Sequence, residues 1–346
     1  MPIGSHIIPA FYLRQFANAP QRKKGQYRLW VYQKDQLPDY RSTSVQGSEN
    51  GYFAFVKPDG SADESLESRL ALLEGNCLDT LVLTATRFFD IRSQSRRNAL
   101  AFYAAMLFCR ATQRRNRTQR LHSDLHRQFA DLAENDEWIA ETVFRFANVR
   151  GEAIQPQAVK DLIARMAAMS EGTTALRNNF VEDLIDSVEI IKGFLLQKPW
   201  QLWNAPPGTE FVTSDNPLIS FLPLNNGELN PGHGFRKPEV VAAFPLAPHV
   251  CVGMGPTSFR GPESITLDAA RVGKINETII RLCERFVYAR TCDDGLRRLT
   301  DKYGNTAKYG ETAFLPVGLS VPTAKDFVLH YLQLGPWPFA RTADHN

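Results

Sequence analysis

The feature that most constrains the fold is a change in hydrophobic periodicity along the chain. Large and polar residues alternate at 27–32, apolar residues recur every three to four positions over about 62–198, and short strand-like runs return after Pro199. Alternation is typical of strands, and a 3.6-residue repeat is typical of helices. The sequence therefore predicts an α+β protein, in which a central multi-helix bundle packs against a small, mainly antiparallel β-sheet formed by the N-terminal and C-terminal segments.

The same pattern divides the chain into three segments. Residues 1–61 should form a docking helix and a β-hairpin, residues 62–198 the helical region, and residues 199–346 a β-rich region with a C-terminal helix. That helix is expected from about Asp268 to Arg285, because its apolar residues follow the helical repeat. A chain of 346 residues can bury a large core, so we expect the segments to pack as one unit.

The net charge and the pattern of cysteines indicate which partners and which cell compartment to expect. The net charge of +3 is too small to indicate a polyanionic partner by itself. The five cysteines are widely spaced and lack a CxxC pair, which favours buried free thiols over disulfides or zinc ligands. No charged-then-apolar leader opens the sequence, and no uninterrupted apolar run approaches 18 residues. We expect a cytoplasmic protein without a membrane partner.

A polar turn between two apolar runs, at residues 211–219, is the main candidate for a site. Asp215 follows a strand-like run, and Asn216 precedes a proline, so the backbone should be restricted on both sides. If Asn216 makes the local turn bond, the carboxylate of Asp215 is left for a partner such as His6, an arginine or a divalent metal. A structural Asx turn uses the same residues, and this alternative stays open.

Arginines are concentrated in the second predicted helix. Residues 92–127 contain nine arginines, no lysine and a single acidic residue. Arg110, Arg114 and Arg117 fall on one helical face, and arginine suits planar, bidentate contacts with phosphate. We expect this face to be partly exposed and to bind nucleic acid, with Asn216 as a further phosphate-binding candidate. A solvated face paired with acidic neighbours is the alternative.

Three more residues are candidates for acid–base or metal chemistry beside Asp215. His6 precedes the docking helix, and Glu67 and Glu74 lie two turns apart on one face of the first long helix. Together with Asp215 they would suit Mg²⁺ or Mn²⁺. Each has an ordinary alternative, because an imidazole also bonds helix-start backbone groups and paired glutamates are common on solvated helices.

Two resemblances to known families follow from these residues. The spacing of Arg115 or Arg117 to His122 resembles the catalytic motif of the HEPN ribonucleases, which act on the RNA 2′-hydroxyl without metal. A longer resemblance covers about residues 5 to 292 and rests on five segments in order. These are His6 to Phe16, Ala111 to Arg114, Phe211 to Pro217, Phe244 to Pro248, and the helix with Asn276 that leads to Tyr288.

This longer pattern resembles the bacterial family designated domain of unknown function 4238. The resemblance implies that His6, Arg114, Asp215 and Asn216 recur together, but it implies no activity. The chain departs from the expected threonine–proline after Arg114.

Three functions are therefore open at this point. The first is a phosphodiester hydrolase directed at nucleic acid or nucleotides, in which arginines bind phosphate and Asp215 holds a metal or acts as a base. The HEPN-like spacing offers a metal-independent ribonuclease as a variant of this function. The second is a non-catalytic nucleic-acid-binding accessory protein, and the third is a scaffold in which the same charged residues pair internally.

Overall fold

The computed structural model shows a chain that folds into two compact units. The first unit consists of Met1–Arg115 and Val181–Val317, and the second of Asn116–Phe180 and Gly318–Asn346. The structure describes residues 4–18, 27–50, 55–57, 61–63, 65, 68, 70–75, 77, 90–151, 153–170, 173–256, 261–309 and 323–334.

The described strands, in chain order, are β1 Gly4–His6, β2 Arg28–Tyr32, β3 Asp39–Ser42, β4 Ser48–Asn50, β5 Phe55–Val56, β6 Ala62–Asp63, β7 Trp200–Asn204, β8 Thr213–Ser214, β9 Ile219–Pro223, β10 Leu229–Pro231, β11 Val241–Ala247, β12 Val250–Met254, β13 Ser264–Thr266 and β14 Val287–Ala289. The helices with described bounds are α1 Ala10–Arg14, α2 Gln94–Arg110, α3 Thr112–Ala133, α4 Asp136–Arg150, α5 Pro156–Ser170, α6 Thr173–Leu196, α7 Ala269–Leu282, α8 Asp294–Tyr303 and α9 Ala324–Leu334. Residues 70–75 and 77 are also helical.

A six-stranded sheet in the first unit is built from the C-terminal segment. Its strand order is β10, β9, β11, β12, β7, β13, and every neighbouring pair is antiparallel except β13 with β7. Strands β11 and β12 lie in the middle and are buried at every position. This burial explains why their sequences are continuous apolar runs rather than alternating ones. At Gly253 in β12, the Trp203 ring occupies the space that a Cβ would need.

A four-stranded antiparallel sheet joins the N-terminal and C-terminal segments. Its order is β3, β2, β14, β8. Helix α7 supplies the apolar stripe predicted from the sequence, with Val272, Ile275 and Ile279 buried. It begins where the Asp268 side chain accepts a hydrogen bond from the backbone N–H of Arg271 at 2.7 Å, as N-cap residues do.

The second unit has its own helical core. Helices α3, α4, α5 and α9 contribute a single apolar cluster, so the unit buries enough surface to be compact without a sheet. Its buried members are Leu125, Phe129, Leu132, Trp138, Ile139, Val159, Leu162, Ile163, Ala324 and Val328.

Parts of the predicted fold need correction. The mixture of helices and sheet is confirmed, but the structure has a six-stranded and a four-stranded sheet instead of one small sheet. The predicted bundle at 62–198 is divided, because residues 116–180 cluster with the chain end. The single arginine-rich helix is also two helices, since Ala111 has an extended ψ of 139° and separates α2 from α3.

In the parts of the chain that the structure describes, no helix combines the length and apolar character needed to cross a bilayer. This agrees with the absence of long apolar runs in the sequence.

Candidate functional site

Strand β8 lies within residues 211–219, at the edge of the four-stranded sheet, and the predicted turn follows it directly. Strand β8 pairs with β14 in antiparallel register. The backbone N–H of Asp215 extends this pairing by donating to the carbonyl of Phe286 at 3.1 Å. Asp215 therefore lies directly at a strand end, opposite the connection from helix α7 to strand β14.

The carboxylate of Asp215 accepts hydrogen bonds from three consecutive backbone N–H groups. Oδ1 accepts from Glu284 at 2.8 Å, and Oδ2 accepts from Arg285 at 2.7 Å and from Phe286 at 2.9 Å. Consecutive N–H groups that point to one anion form a nest. In this case the anion is a side chain of the protein, so Asp215 ties the end of α7 to the turn after β8.

These contacts give the carboxylate three partners that the sequence did not predict. The sequence argument treated the turn as a local structure and did not anticipate donors about seventy residues further along the chain. The backbone of His6 lies in β1, but its side chain lies outside the described residues. What the structure assigns to Asp215 is a structural role in joining two elements.

Burial raises the pKa of the Asp215 carboxyl to about 6. The three backbone hydrogen bonds lower the pKa because they favour the ionised form, and the nearby carboxylate of Glu284 raises it. The loss of hydration is the largest of these effects. Folding therefore increases the affinity of this group for a proton, although the carboxyl is mostly ionised at neutral pH.

This raised pKa predicts that stability depends on pH. An unfolded aspartate titrates near 4, about two pH units below folded Asp215. Between these values the native state binds more protons than the unfolded state, so the free energy of unfolding should fall as the pH rises from about 4 to about 6. We expect the stability difference between the wild type and Asp215→Asn, from urea unfolding, to change across this interval. A constant difference would contradict the assignment.

Neighbouring polar residues also bond within the protein. The side-chain amide of Asn216 donates to the carbonyl of Leu282 at 3.1 Å, and the Ser214 hydroxyl accepts from the backbone N–H of Asn216 at 3.1 Å. Asn276, on α7, accepts from the N–H of Val212 at 3.1 Å through Oδ1. Asn216 is fully buried, and its side chain bonds to groups of the protein itself. It therefore does not lie on a surface where phosphate binds.

Helix α1 is attached to the same region through a tyrosine. The hydroxyl of Tyr12 lies 2.8 Å from the hydroxyl of Thr213 and donates to the carbonyl of Pro245 at 2.7 Å. Its ring stacks on Phe244, with centroids 5.5 Å apart. We use the term clasp for the five residues that join these elements: Tyr12, Thr213, Asp215, Asn216 and Asn276. All five belong to the segments on which the family resemblance rests.

The arginine face predicted for nucleic acid is only partly present. Arg110 is 1% exposed and forms an ion pair with Glu74, whose side chain is 14% exposed. Arg114 is half-buried and donates to the Ser187 hydroxyl. Arg110 does not contribute to an exposed face, because α2 is buried along its C-terminal half up to and including this residue. Glu74 neutralises the guanidinium, as burial requires.

Several predicted residues lie outside the described part of the structure. This applies to Glu67 as a whole and to the side chains of Arg117 and His122. Among the residues that are described, no group of three His, Cys, Asp or Glu side chains is arranged to hold a metal ion. The predicted Mg²⁺ or Mn²⁺ site at Asp215 involves the His6 side chain and Glu67, which lie outside the described residues, so it stays a prediction.

A polar cleft of about 610 Å³ opens at one end of strands β7, β12 and β13, on the first unit. Its size falls within the range of about 300–1,000 Å³ that is common for ligand sites. Hydroxyl and amide side chains line it together with a carboxylate, an imidazole and a guanidinium. The polar lining residues are Asn204, Thr209, Glu210, His249, Ser264, Thr266 and Arg290.

The carboxylate and the guanidinium of the cleft form a partly exposed ion pair. Arg290 donates to Glu210, and their side chains are 44% and 25% exposed. The hydroxyl of Thr291 donates to the second carboxylate oxygen of Glu210 at 3.3 Å. The imidazole of His249 lines the same cleft and is half-buried. The cleft thus holds an anion-binding group, a base and a group able to donate a proton.

Sequence reasoning did not identify this cleft. A local signal existed, because Pro206-Pro207-Gly208 predicts a turn directly before Thr209 and Glu210, and Gly208 has a positive φ of 82°. His249 likewise lies in the tight turn between two apolar strands. Neither signal indicates that Arg290 lies beside Glu210, since this pairing depends on the position of β14 in the other sheet.

The fold and these contacts define an α+β protein whose larger sheets have six and four strands, and in which motif residues form an internal clasp close to an open polar cleft. The chain belongs to the family described as "Protein of unknown function (DUF4238)", whose family model matches residues 5–293. The resemblance drawn from the sequence is confirmed. No match was found among curated proteins or among solved structures.

Proposed function

We propose that the protein binds a phosphate ester, as found in a nucleotide or in the backbone of a nucleic acid, in the cleft beside Arg290. The observation that carries the proposal is that an exposed guanidinium, an imidazole and a carboxylate line one open cleft. Arginine presents a planar set of N–H donors that matches phosphate oxygens. Imidazole and carboxylate groups next to a bound phosphate are the groups that acid–base chemistry on phosphate esters uses.

The exposure of the ion pair supports exchange with a ligand. Arg290 is nearly half exposed, and an ion pair with this exposure contributes only about 0–1 kcal/mol to stability. Replacing the Glu210 carboxylate by a phosphate oxygen therefore costs little, because a phosphodiester carries the same single negative charge as a carboxylate and a terminal nucleotide phosphate carries a larger one. The pair keeps Arg290 close to the cleft in the absence of ligand.

The proposal differs from the hydrolase that the sequence suggested around Asp215. Asp215 accepts three backbone hydrogen bonds, and Glu74 is paired with buried Arg110, so both carboxylates already have partners. On the arginine-rich helix, exposed Arg127 is paired with Asp124. Arg127 and Arg290 are thus both paired with an acid, and phosphate binding is assigned to Arg290 because that guanidinium shares a cleft with an imidazole and a carboxylate.

Arg290→Ala is expected to weaken the binding of a short fluorescent oligonucleotide by about 10-fold to 100-fold, because a hydrogen bond to a charged group contributes about 1.5–3 kcal/mol. The slope of log affinity against log salt should become shallower by about one, the effect of one lost phosphate contact. Fluorescence anisotropy over a salt series measures both. Adenosine diphosphate and inorganic phosphate, added as competitors, distinguish a nucleotide or phosphate site from one that needs a longer strand.

A matched control is available in the same unit. Arg271 is also an exposed arginine paired with an acid, Asp268, and it does not line the cleft. Arg271→Ala removes the same charge, so it should leave affinity and salt slope close to those of the wild type. Equal losses in the two variants would indicate general electrostatic attraction and contradict the cleft as the site. Binding that neither substitution affects would contradict the proposal as a whole.

We also propose that the protein works in the cytoplasm. The described structure contains five free cysteines, of which Cys292 is exposed and the other four are buried. Free thiols are typical of a reducing compartment. A cell fractionation experiment with an antibody to the protein tests this placement, and recovery from the envelope fraction would contradict it.

A further inference from the structure

We infer that the cleft cleaves RNA by transfer to the 2′-hydroxyl, an inference that rests on the proposed phosphate binding. Glu210 takes the proton of the 2′-hydroxyl, Arg290 binds the phosphate, and His249 gives a proton to the departing 5′-oxygen. These are the three functional groups that line the cleft. RNA differs from DNA by the 2′-hydroxyl, so the cleft would act on RNA alone.

The backbone is held by hydrogen bonds at Glu210 and at His249, and by a neighbouring strand at Arg290. The carbonyl of Glu210 accepts from the side-chain amide of Asn276 at 2.8 Å. The carbonyl of His249 accepts from the N–H of Ala205 at 3.0 Å. Arg290 directly follows strand β14. Glu210 and His249 lie in a loop and a turn whose backbones are hydrogen-bonded to helix α7 and to the residue that follows strand β7, which keeps an acid and a base at set positions around a bound phosphate.

A further hydrogen bond joins the segments that carry Glu210 and His249. The backbone N–H of Phe211 donates to the carbonyl of Pro248 at 2.7 Å. The residues next to Glu210 and His249 in the chain are thus hydrogen-bonded to each other. This places Glu210 and His249 on adjoining segments, and both line the same cleft.

The reaction is balanced without a co-reactant. The Glu210 carboxylate removes the proton from the 2′-oxygen, which attacks phosphorus and forms a new P–O bond. The bond from phosphorus to the 5′-oxygen breaks, and that oxygen receives the proton of the His249 imidazolium. The products are a 2′,3′-cyclic phosphate and a strand with a 5′-hydroxyl. Proton exchange with water restores the carboxylate and the imidazolium.

The other lining residues indicate what part of RNA the cleft recognises. Asn204, Thr209, Ser264 and Thr266 add hydroxyl and amide groups to the lining, which is the hydrogen-bonding chemistry that suits ribose and phosphate. Among the described lining residues there is no Phe, Tyr or Trp side chain on which a base would stack. Base stacking supplies much of the affinity of proteins for single strands. We therefore expect weak binding and little sequence preference.

The test uses the purified full chain and a DNA oligonucleotide that contains one ribonucleotide, with chelator present. The wild type should cut only after the ribonucleotide and leave a 2′,3′-cyclic phosphate, which mass spectrometry identifies. Glu210→Gln and His249→Gln should each lower the cleavage rate by about 100-fold or more, the usual contribution of a general base or acid. Both variants should retain wild-type affinity for the all-deoxy strand within about 3-fold, since neither removes the phosphate contact of Arg290.

Glu141→Gln is the matched control. Glu141 is likewise an exposed carboxylate paired with an arginine, Arg145, and it lies in the second unit. Its cleavage rate should equal that of the wild type. A wild-type protein that binds the all-deoxy strand without cutting the ribonucleotide would overturn this inference and leave the phosphate site intact. Cleavage unchanged by either cleft substitution would overturn it too, whereas loss of all binding would overturn the phosphate site itself.

Discussion

Asp215→Ala is expected to lower the free energy of unfolding by about 3 kcal/mol at neutral pH. The substitution leaves the backbone N–H groups of Glu284, Arg285 and Phe286 without the acceptor that they share. Each hydrogen bond to a charged group contributes about 1.5–3 kcal/mol to stability. Removing the carboxylate also removes the free-energy cost of burying it, the same cost that raises the pKa of Asp215, so the net loss is smaller than the sum of the three hydrogen bonds. Unfolding in urea, followed by circular dichroism, measures the change.

Asp215→Asn should cost roughly half as much. The asparagine retains one oxygen for the pair of donors at Oδ2, while its amide nitrogen faces the N–H of Glu284 and accepts nothing. Asp39→Ala is the control, because Asp39 is an exposed aspartate in an ion pair with Arg41 and should change stability by at most about 0.5 kcal/mol. If Asp215→Ala were no more destabilising than this control, the three hydrogen bonds would not hold the turn.

Arg110→Met is expected to destabilise the fold by about 4 kcal/mol, since breaking a buried ion pair by removing one partner costs about 3–5 kcal/mol. Methionine keeps an unbranched apolar stem but removes the guanidinium. The carboxylate of Glu74, which is 14% exposed, then lies in a mostly buried position without its cation. Thermal and urea unfolding of the variant give the size of the loss.

The double variant Arg110→Met with Glu74→Met separates charge from packing. Replacing both members of a buried pair by apolar residues is often neutral, so the double variant should recover most of the lost stability. Arg145→Met, which breaks an exposed pair with Glu141, should cost at most about 0.5 kcal/mol. A double variant as unstable as the single one would show that the loss came from packing and not from an unpaired charge.

The clasp and the cleft are joined through Asn276. Its two side-chain atoms bond the backbone on either side of Phe211, accepting from Val212 at 3.1 Å and donating to the carbonyl of Glu210 at 2.8 Å. Asn276 therefore fixes the backbone from Val212, which is next to the clasp residue Thr213, to Glu210, which lines the cleft. Asn276 is a positioning residue in this arrangement. Its hydrogen bonds within the clasp determine where the backbone of Glu210 lies at the cleft.

The sequence by itself determined the elements whose signals are local. The helix expected from about Asp268 to Arg285 is observed as Ala269–Leu282, because a helical repeat with an N-cap residue needs no distant partner. The buried strands after residue 239 and the buried free thiols were expected on the same grounds. Family membership was also evident, since the motif order is a property of the chain.

Only the tertiary structure decided what the charged residues do. The donors to Asp215 lie 69 to 71 residues further along the chain. Arg110 continues the periodic charge of its helix, yet the helix packs so that this arginine is buried against Glu74. The cleft combines residues from 202 to 290 that two sheets bring together. Periodicity reports which face of an element is apolar, whereas the partner of a polar group depends on how distant elements pack.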